Sequence, residues 1–188
     1  MLVRPRIIHI VPMSEGDIEA LASTAEGIHE QFGLEVKIAD NKGPPAYAFD
    51  AARKQYNSNL IIKALLETCP PDALRILGVT NFDLFSPIFS FVFGEAQFGG
   101  RGAVVSTYRL HGNSEEQSHG CPPLLDRLEK EMMHELGHTF HLRHCADPDC
   151  VMHYSSGVQC ADRKFAFFCS ACRDLMLWHI AAELFLKI

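Results

Sequence analysis

One segment constrains this chain more than any other. Residues 134–145 read His-Glu-Leu-Gly-His-Thr-Phe-His-Leu-Arg-His-Cys. His134 and His138 are four positions apart, so on an α-helix their side chains lie on the same face, one turn apart. Two imidazoles at this spacing can bind one Zn²⁺ ion. The segment therefore predicts a helix that supplies two ligands to a metal centre.

Glu135 and His144 extend the pattern around these two histidines. Glu135 lies one helical step from the open position of the metal, where a carboxylate can act as general base for a water that the metal activates. His144 is a candidate third ligand and leaves the fourth position free for water. The H-E-x-x-H motif is typical of zinc peptidases, and H-E-x-x-H-x-x-G-x-x-H is typical of the metzincin clan. The pattern therefore favours peptide-bond hydrolysis.

His141 stands where the longer motif has a glycine. The glycine permits a left-handed turn that ends the helix, and a histidine in that conformation costs about 1–2 kcal/mol, although histidine is among the residues enriched there. If the helix instead continued, His141 would share one face with His134 and His138 and would itself be the third ligand. We favour His144, because Cys145 begins a second metal motif and requires the chain to have turned. His141 is then a residue of the turn or of the rim.

Four cysteines form this second motif. They follow the pattern C-x4-C-x18-C-x2-C and comprise Cys145, Cys150, Cys169 and Cys172. Four thiolates fill a tetrahedral zinc shell and leave no position for water, so this four-cysteine site is predicted to be structural. Cys69, Cys121 and Cys160 lack the spacing and are expected to be structural or neutral, since single cysteines are usually small buried hydrophobes. Cys160 is the alternative ligand, because it lies inside the loop of the motif.

A histidine site that runs directly into a four-cysteine site resembles the archaemetzincin family of metallopeptidases. The resemblance continues upstream through residues 78–80, 83–84, 91–96, 103–106 and 109–110. It implies a zinc-dependent peptidase with one catalytic and one structural Zn²⁺ per chain, acting on a peptide or protein substrate. It also implies one α/β (α+β) metzincin-like domain over residues 1–188, with a mixed twisted sheet, an upper edge strand, an active-site helix and a C-terminal helix. Residues 1–144 would form its N-terminal subdomain and residues 145–188 a short C-terminal subdomain with the four-cysteine site.

The resemblance assigns further roles near the catalytic metal. Met152 matches the methionine of the turn beneath the zinc ligands of metzincins, where it is an apolar floor and binds no metal; a core methionine is the alternative. Tyr154 matches a tyrosine that in some metzincins hydrogen-bonds the tetrahedral intermediate, against the alternative of a packed or exposed side chain. Glu95, Ala96 and Gln97 match the edge strand that binds an extended peptide through main-chain hydrogen bonds, or else form an ordinary hairpin.

Hydrophobic periodicity predicts the elements around these motifs. Strands are predicted at 6–11, 34–38, 73–80, 90–93 and 103–108, and helices at 14–32, 56–68 and 170–187. The chain between His144 and the last helix is expected to be irregular. Five phenylalanines are expected in the core, against the alternative of a substrate pocket, namely Phe82, Phe85, Phe89, Phe91 and Phe93. This order of elements favours a single α/β domain with a mixed sheet.

Composition disfavours several other functions. The 188 residues have a net charge of −6 and no run of lysine or arginine, which argues against a nucleic-acid or anionic-membrane partner. The longest apolar stretches are strand-sized, so no transmembrane helix is expected, and residues 1–9 lack the features of a signal peptide. We therefore expect a cytoplasmic protein, assumed to be a monomer, whose cysteines act as thiolates.

A second function competes with peptide hydrolysis. The chain could be a zinc-binding protein with a latent or inactive site that serves as a binding or regulatory module, and His141 keeps this interpretation open. Glu135 argues against it, because a purely structural metal site has no use for a base.

Overall fold

Strands and helices alternate along most of the chain. The structure, a computed structural model, describes residues 6–15, 18–111 and 124–185. Within these ranges the strands are β1 (Ile7–Pro12), β2 (Glu35–Ile38), β3 (Phe49–Asp50), β4 (Gln55–Asn57), β5 (Ala73–Thr80), β6 (Leu84–Ser86), β7 (Phe89–Val92), β8 (Gly94–Ala96) and β9 (Gly102–Ser106). The helices are α1 (Ile18–Phe32), α2 (Ser58–Glu67), α3 (Leu124–Thr139), α4 (Val158–Arg163) and α5 (Ser170–Phe185). Each predicted strand and helix has a counterpart within a few residues.

The larger sheet has five strands in the order β2-β1-β5-β9-β8. The first four strands run parallel, and β8 pairs antiparallel with β9 at the edge. β1 and β5 are buried along their whole length, because helices cover both faces of the sheet. Side chains that alternate along β5 and β9 belong to two different core clusters, one against α1 and α3 and the other against α2. The mixed sheet with an edge strand confirms the predicted fold class.

A smaller sheet of four strands, in the order β3-β4-β6-β7, was not predicted. Its strands are two to four residues long, too short to give a clear alternating pattern. The chain passes from this sheet into the larger one between Val92 and Gly94. This crossing places β8 beside α3.

Local signals explain where two helices begin or end. Gly33 directly follows α1 with φ of +65°, a left-handed conformation that glycine adopts without strain. Asn57 caps α2, because its side-chain oxygen accepts hydrogen bonds from the N–H groups of Asn59 and Leu60 at 3.0 and 3.3 Å. Both signals can be read from the sequence.

Past α3 the chain contains a short helix, α4, where irregular structure was predicted, and α5 is the last described element.

A buried arginine connects the end of α3 to α5 through hydrogen bonds. The Arg75 Nε donates to Thr139 Oγ1 at 2.9 Å, and its Nη1 donates to Glu183 Oε2 at 3.0 Å. None of the helices in the described ranges has the length and hydropathy to cross a lipid bilayer.

Candidate metal centres and active-site cleft

The two helical histidines of α3 present the same ring nitrogen to one point. The Nδ1 of His134 donates to the carbonyl oxygen of Val151 at 2.8 Å, and the Nδ1 of His138 donates to that of Leu142 at 2.7 Å. These bonds leave both Nε2 atoms as acceptors, 3.2 Å apart. Two nitrogen ligands of one tetrahedral Zn²⁺ lie about 3.3 Å apart when each bond is about 2.0–2.1 Å long. The pair therefore fits a shared zinc ion.

The active-site helix ends in a left-handed turn at His141. α3 stops at Thr139, and His141 has φ of +65°. The N–H of His141 donates to the carbonyl of His138 at 3.1 Å, and the N–H of Leu142 to that of Gly137 at 3.1 Å. This is the Schellman pattern that closes many helices. The turn directs the His141 ring toward His179, where the ring centroids are 4.6 Å apart, and away from His134 and His138.

The same turn brings His144 to the helical pair. Its ring centroid lies 5.3 Å from that of His134 and 5.0 Å from that of His138. One ligand nitrogen from each of the three residues lies within 4.8 Å of the others. Burial lowers the pKa of all three imidazoles, most strongly that of His134, so they are neutral and keep a lone pair for a metal. The three histidines therefore suit one Zn²⁺ with an open fourth position.

Glu135 is buried beside this group and packs against β8. It is 6% exposed, and a Cβ built on Gly94 would lie 2.6 Å from its Cγ. Burial first, and then the negative charge of Glu131, raise the pKa of the Glu135 carboxyl well above its ordinary value. A raised pKa suits a carboxylate that exchanges a proton with water near neutral pH.

The four cysteines of the second motif converge beyond His144. Their four Sγ atoms all lie within 4.8 Å of one another, and those of Cys145 and Cys169 are 3.8 Å apart. Two thiolates of one tetrahedral Zn²⁺ lie about 3.8 Å apart when each Zn–S bond is about 2.3 Å long. Cys160 lies outside the group and contacts Ser156, while Cys121 lies outside the described residues. The donor set is that of a closed site with four thiolate ligands.

The sequence matches one peptidase family along most of this fold. A sequence profile described as Peptidase family M54 matches residues 45–177. The chain belongs to this family. Relatives of this chain include the archaemetzincin of Pyrococcus horikoshii, which is 39% identical over 78% of this chain and 79% of that protein. The archaemetzincin of Methanopyrus kandleri is 39% identical over 86% of this chain and 91% of its own length.

Three solved structures are similar to this fold. The crystal structure of the Methanopyrus kandleri archaemetzincin matches with a TM-score of 0.79 and 34% identity, covering 94% of this chain and 96% of that one. The Archaeoglobus fulgidus archaemetzincin, crystallised with malonate, matches with a TM-score of 0.75 and 34% identity over 90% and 99% of the two chains. A zinc-dependent peptidase from Methanocorpusculum labreanum matches with a TM-score of 0.74 and 29% identity over 90% and 99%.

Membership of family M54 makes the chain a zinc metallopeptidase that acts on peptide or protein substrates. The histidine group is compatible with a catalytic zinc and the cysteine group with a structural zinc. Both cofactor predictions and the suspected resemblance are therefore confirmed.

Met152 and Tyr154 both lie at the histidine group. Met152 is fully buried, and a Cβ built on Gly137 would overlap its Sδ, so the glycine leaves the space that the methionine fills beneath α3. The Tyr154 ring centroid is 5.1 Å from that of His144, and the side chain is 54% exposed at the cleft.

The cleft beside the histidines has a volume of about 360 Å³ and is bounded by β7, β8 and α3. Glu95 and Ala96 lie on β8 at the edge of the larger sheet, and Gln97 extends the pairing through its N–H to Gly102 at 2.9 Å.

The expectation that five phenylalanines lie in the core is wrong for Phe89, which is 52% exposed. Phe85 and Phe93 are buried. Phe89 is the first residue of β7, a strand that is exposed or only partly buried along its length. Phe89, Phe91 and Phe93 all line the cleft, so they contribute an apolar wall to it.

Two charged residues of the site were missed by sequence reasoning. Glu131 lines the cleft one helical turn before Glu135, and its carboxylate contacts the buried ammonium group of Lys164. The spacing of the two glutamates on α3 was a signal for the first. Lys164 is 33 positions further along the chain and carries no local pattern.

Gly94→Ala is expected to displace the Glu135 side chain, because the new Cβ has no room beside the Glu135 Cγ and the Val104 carbonyl oxygen. Misplacement of a reacting group by about 1 Å can cost about 100-fold in rate, so if Glu135 is the general base we expect kcat/KM for peptide hydrolysis to fall by about that factor. Gly78→Ala is the control, since its Cβ would meet Leu65 and Met13 away from the cleft. Equal kcat/KM values for the two variants would contradict a role of Glu135 as general base.

Proposed function

We propose that this chain hydrolyses peptide bonds at the histidine group, with His134, His138 and His144 as zinc ligands and Glu135 as general base. The observation that carries the proposal is the convergence of three neutral imidazoles at a cleft that also contains a buried carboxylate. A purely structural metal site needs neither the cleft nor the carboxylate.

The residues around the metal have distinct tasks in this mechanism. When bound, Zn²⁺ supplies a Lewis acid that acidifies water and polarises the substrate carbonyl. Glu135 accepts the proton of the attacking water and then delivers it to the leaving amine. Tyr154 would donate a hydrogen bond from its hydroxyl to the substrate oxygen as charge develops there, which is supported by its position at the cleft with its ring centroid 5.1 Å from that of His144.

The open edge of β8 is proposed to align the substrate. Phe93 O accepts from Ser106 N, and Gln97 N donates to Gly102 O, so alternate residues of this segment bond inward to β9. In an antiparallel pair the intervening residues point their main-chain groups outward. The main-chain groups of Gly94 and Ala96 would therefore point away from β9, to the edge where no other described strand pairs, while those of Glu95 would point toward β9. An extended peptide would add to the sheet along this edge.

We also propose that residues 1–144 and 145–188 act as two subdomains of one domain, with Met152 as the apolar floor of the catalytic site. Zinc bound by Cys145, Cys150, Cys169 and Cys172 would hold the second subdomain in place. None of the six cysteines in the described ranges forms a disulfide bond, which supports a reducing, cytoplasmic location. The acidic net charge of −6 supports the absence of a nucleic-acid partner.

The test is cleavage of a peptide library by the zinc-loaded protein, read by mass spectrometry beside its metal content. We expect two zinc ions and cleavage for wild type and for His141→Ala, and one zinc ion without cleavage for His144→Ala. The two variants remove the same ring from neighbouring positions, so each controls for the other. Two zinc ions in wild type without cleavage of any peptide would instead favour an inactive binding module.

A further inference from the structure

Two buried ion pairs join the active-site helix to the segment that contains the four cysteine ligands. Arg127 Nε contacts Asp162 Oδ1 at 2.6 Å, and Lys164 Nζ contacts Glu131 Oε1 at 2.8 Å. Arg127 and Glu131 are one turn apart on α3, and the next turn carries Glu135. The two pairs therefore form a row that leads along the helix toward the catalytic residues.

The Lys164–Glu131 pair is the more deeply buried of the two. The Lys164 and Glu131 side chains are 0% and 4% exposed. Apart from this contact, neither Lys164 Nζ nor Glu131 Oε1 has a hydrogen-bond partner among the described residues. Apolar side chains that replace a buried ion pair often leave stability unchanged or increase it. Stability alone therefore does not account for an ammonium group at this position.

The backbone next to Lys164 is hydrogen-bonded to the segment that orients His134. The next residue, Phe165, donates its N–H to Asp149 O at 3.0 Å, and Val151 donates its N–H to Phe167 O at 2.8 Å. The carbonyl of Val151 accepts the hydrogen bond from His134 Nδ1. The backbone next to Lys164 is thus hydrogen-bonded to the turn that contains Val151, whose carbonyl orients the proposed zinc ligand His134.

The three histidines come from two parts of the chain that meet at this contact. His134 and His138 lie on α3, whereas His144 directly precedes the first cysteine ligand. The ligand triangle therefore depends on how the segment after His144 docks on α3. Lys164 and Glu131 make that docking contact three residues from His134 and four from Glu135.

We propose that Lys164 is a positioning residue for the catalytic centre, which it serves by holding Glu131 and so setting the placement of the four-cysteine segment against α3. The proposal rests on the proposed zinc site. It gives the four-cysteine segment a second task, since the same segment that closes the structural site also adjusts the spacing of the catalytic ligands.

The experiment compares metal affinity at the histidine group in two double variants. The catalytic zinc is removed with a chelator that leaves the zinc of the four-cysteine site in place, and the dissociation constant for Co²⁺ is measured by its absorption. For Glu131→Leu with Lys164→Met we expect native-like melting, one retained zinc ion and Co²⁺ binding weakened about 10–100-fold, the usual effect of losing a residue that orients metal ligands.

Arg127→Met with Asp162→Leu is the matched control, one turn further from the histidines. We expect it to alter melting but to leave Co²⁺ affinity within about threefold of wild type. Native Co²⁺ affinity in the Lys164–Glu131 variant, or equal weakening in both variants, would overturn the proposal. If the apolar variant does not fold, Glu131→Gln with Lys164→Gln removes both charges at similar length. We then expect at least about threefold weaker binding, and wild-type affinity would overturn the proposal.

No substrate enters this measurement. A protein that cleaves no peptide but shows the expected Co²⁺ affinities would contradict the proposed function and leave the role of Lys164 intact. Full peptidase activity with unchanged affinities would do the reverse.

Discussion

Glu135→Gln is expected to lower kcat/KM for peptide hydrolysis by about three orders of magnitude, because glutamine cannot accept the proton of the attacking water. General acid–base groups contribute about 10²–10⁴ in rate. The substitution preserves the shape of the side chain against Gly94, so the zinc content should stay at two ions per chain. The measurement is steady-state hydrolysis of a peptide identified from the library, beside metal analysis of the same sample.

Glu129→Gln provides the control for this substitution. Glu129 lies on the same helix, is partly buried, and also has a raised pKa, caused first by burial. It contacts the region of Gly27 and does not line the cleft. We expect its kcat/KM to stay within about twofold of wild type. Similar losses in both variants would show that the helix, and not the base, had been damaged.

Cys169→Ser is expected to destabilise the whole fold through loss of the structural zinc. Burial raises the pKa of Cys150 and Cys172, and a backbone hydrogen bond from Cys172 is the first cause that lowers the pKa of Cys169. The metal must therefore displace protons from a crowded set of thiols, and its binding free energy becomes folding free energy. Structural zinc contributes about 10–16 kcal/mol in zinc-finger peptides, so a loss of about 4 kcal/mol here is a modest expectation. For a chain of this length it lowers the melting temperature by about 8–16 °C.

Cys160→Ser is the matched variant for this prediction. Cys160 lies between Cys150 and Cys169 in sequence, yet its sulfur contacts Ser156 and stands outside the four-cysteine group. The Cys160→Ser variant should retain both zinc ions and melt within about 2 °C of wild type. An unchanged zinc content and melting temperature in Cys169→Ser would contradict a structural role for the four-cysteine site.

The metal sites were predictable because their signals are local. His134 and His138 share a helix face by spacing alone, and the cysteine spacing is a metal pattern in itself. The choice between His141 and His144 required one further argument, namely that the chain must turn before Cys145. The observed φ of +65° at His141 agrees with that argument.

Features that depend on distant segments were not predictable in this way. β3, β4 and β6 are two or three residues long, and the pairing of β4 with β6 brings Tyr56 beside Leu84, which is far from it in sequence. The contact between Lys164 and Glu131 likewise joins α3 to a segment 33 positions later. Phe89 was misplaced for the same reason, because the exposure of β7 depends on which segments pack against the smaller sheet and not on the residues around Phe89.

The turn at His141 has a consequence for how relatives of this chain are found. Its closing hydrogen bonds come from main-chain groups, so the geometry needs a residue that tolerates a left-handed backbone and does not need glycine itself. Asparagine, aspartate and histidine satisfy that condition, whereas β-branched residues do not. A search pattern that insists on glycine would pass over sequences in which the ligand geometry is intact, and a pattern defined by backbone tolerance would recover them.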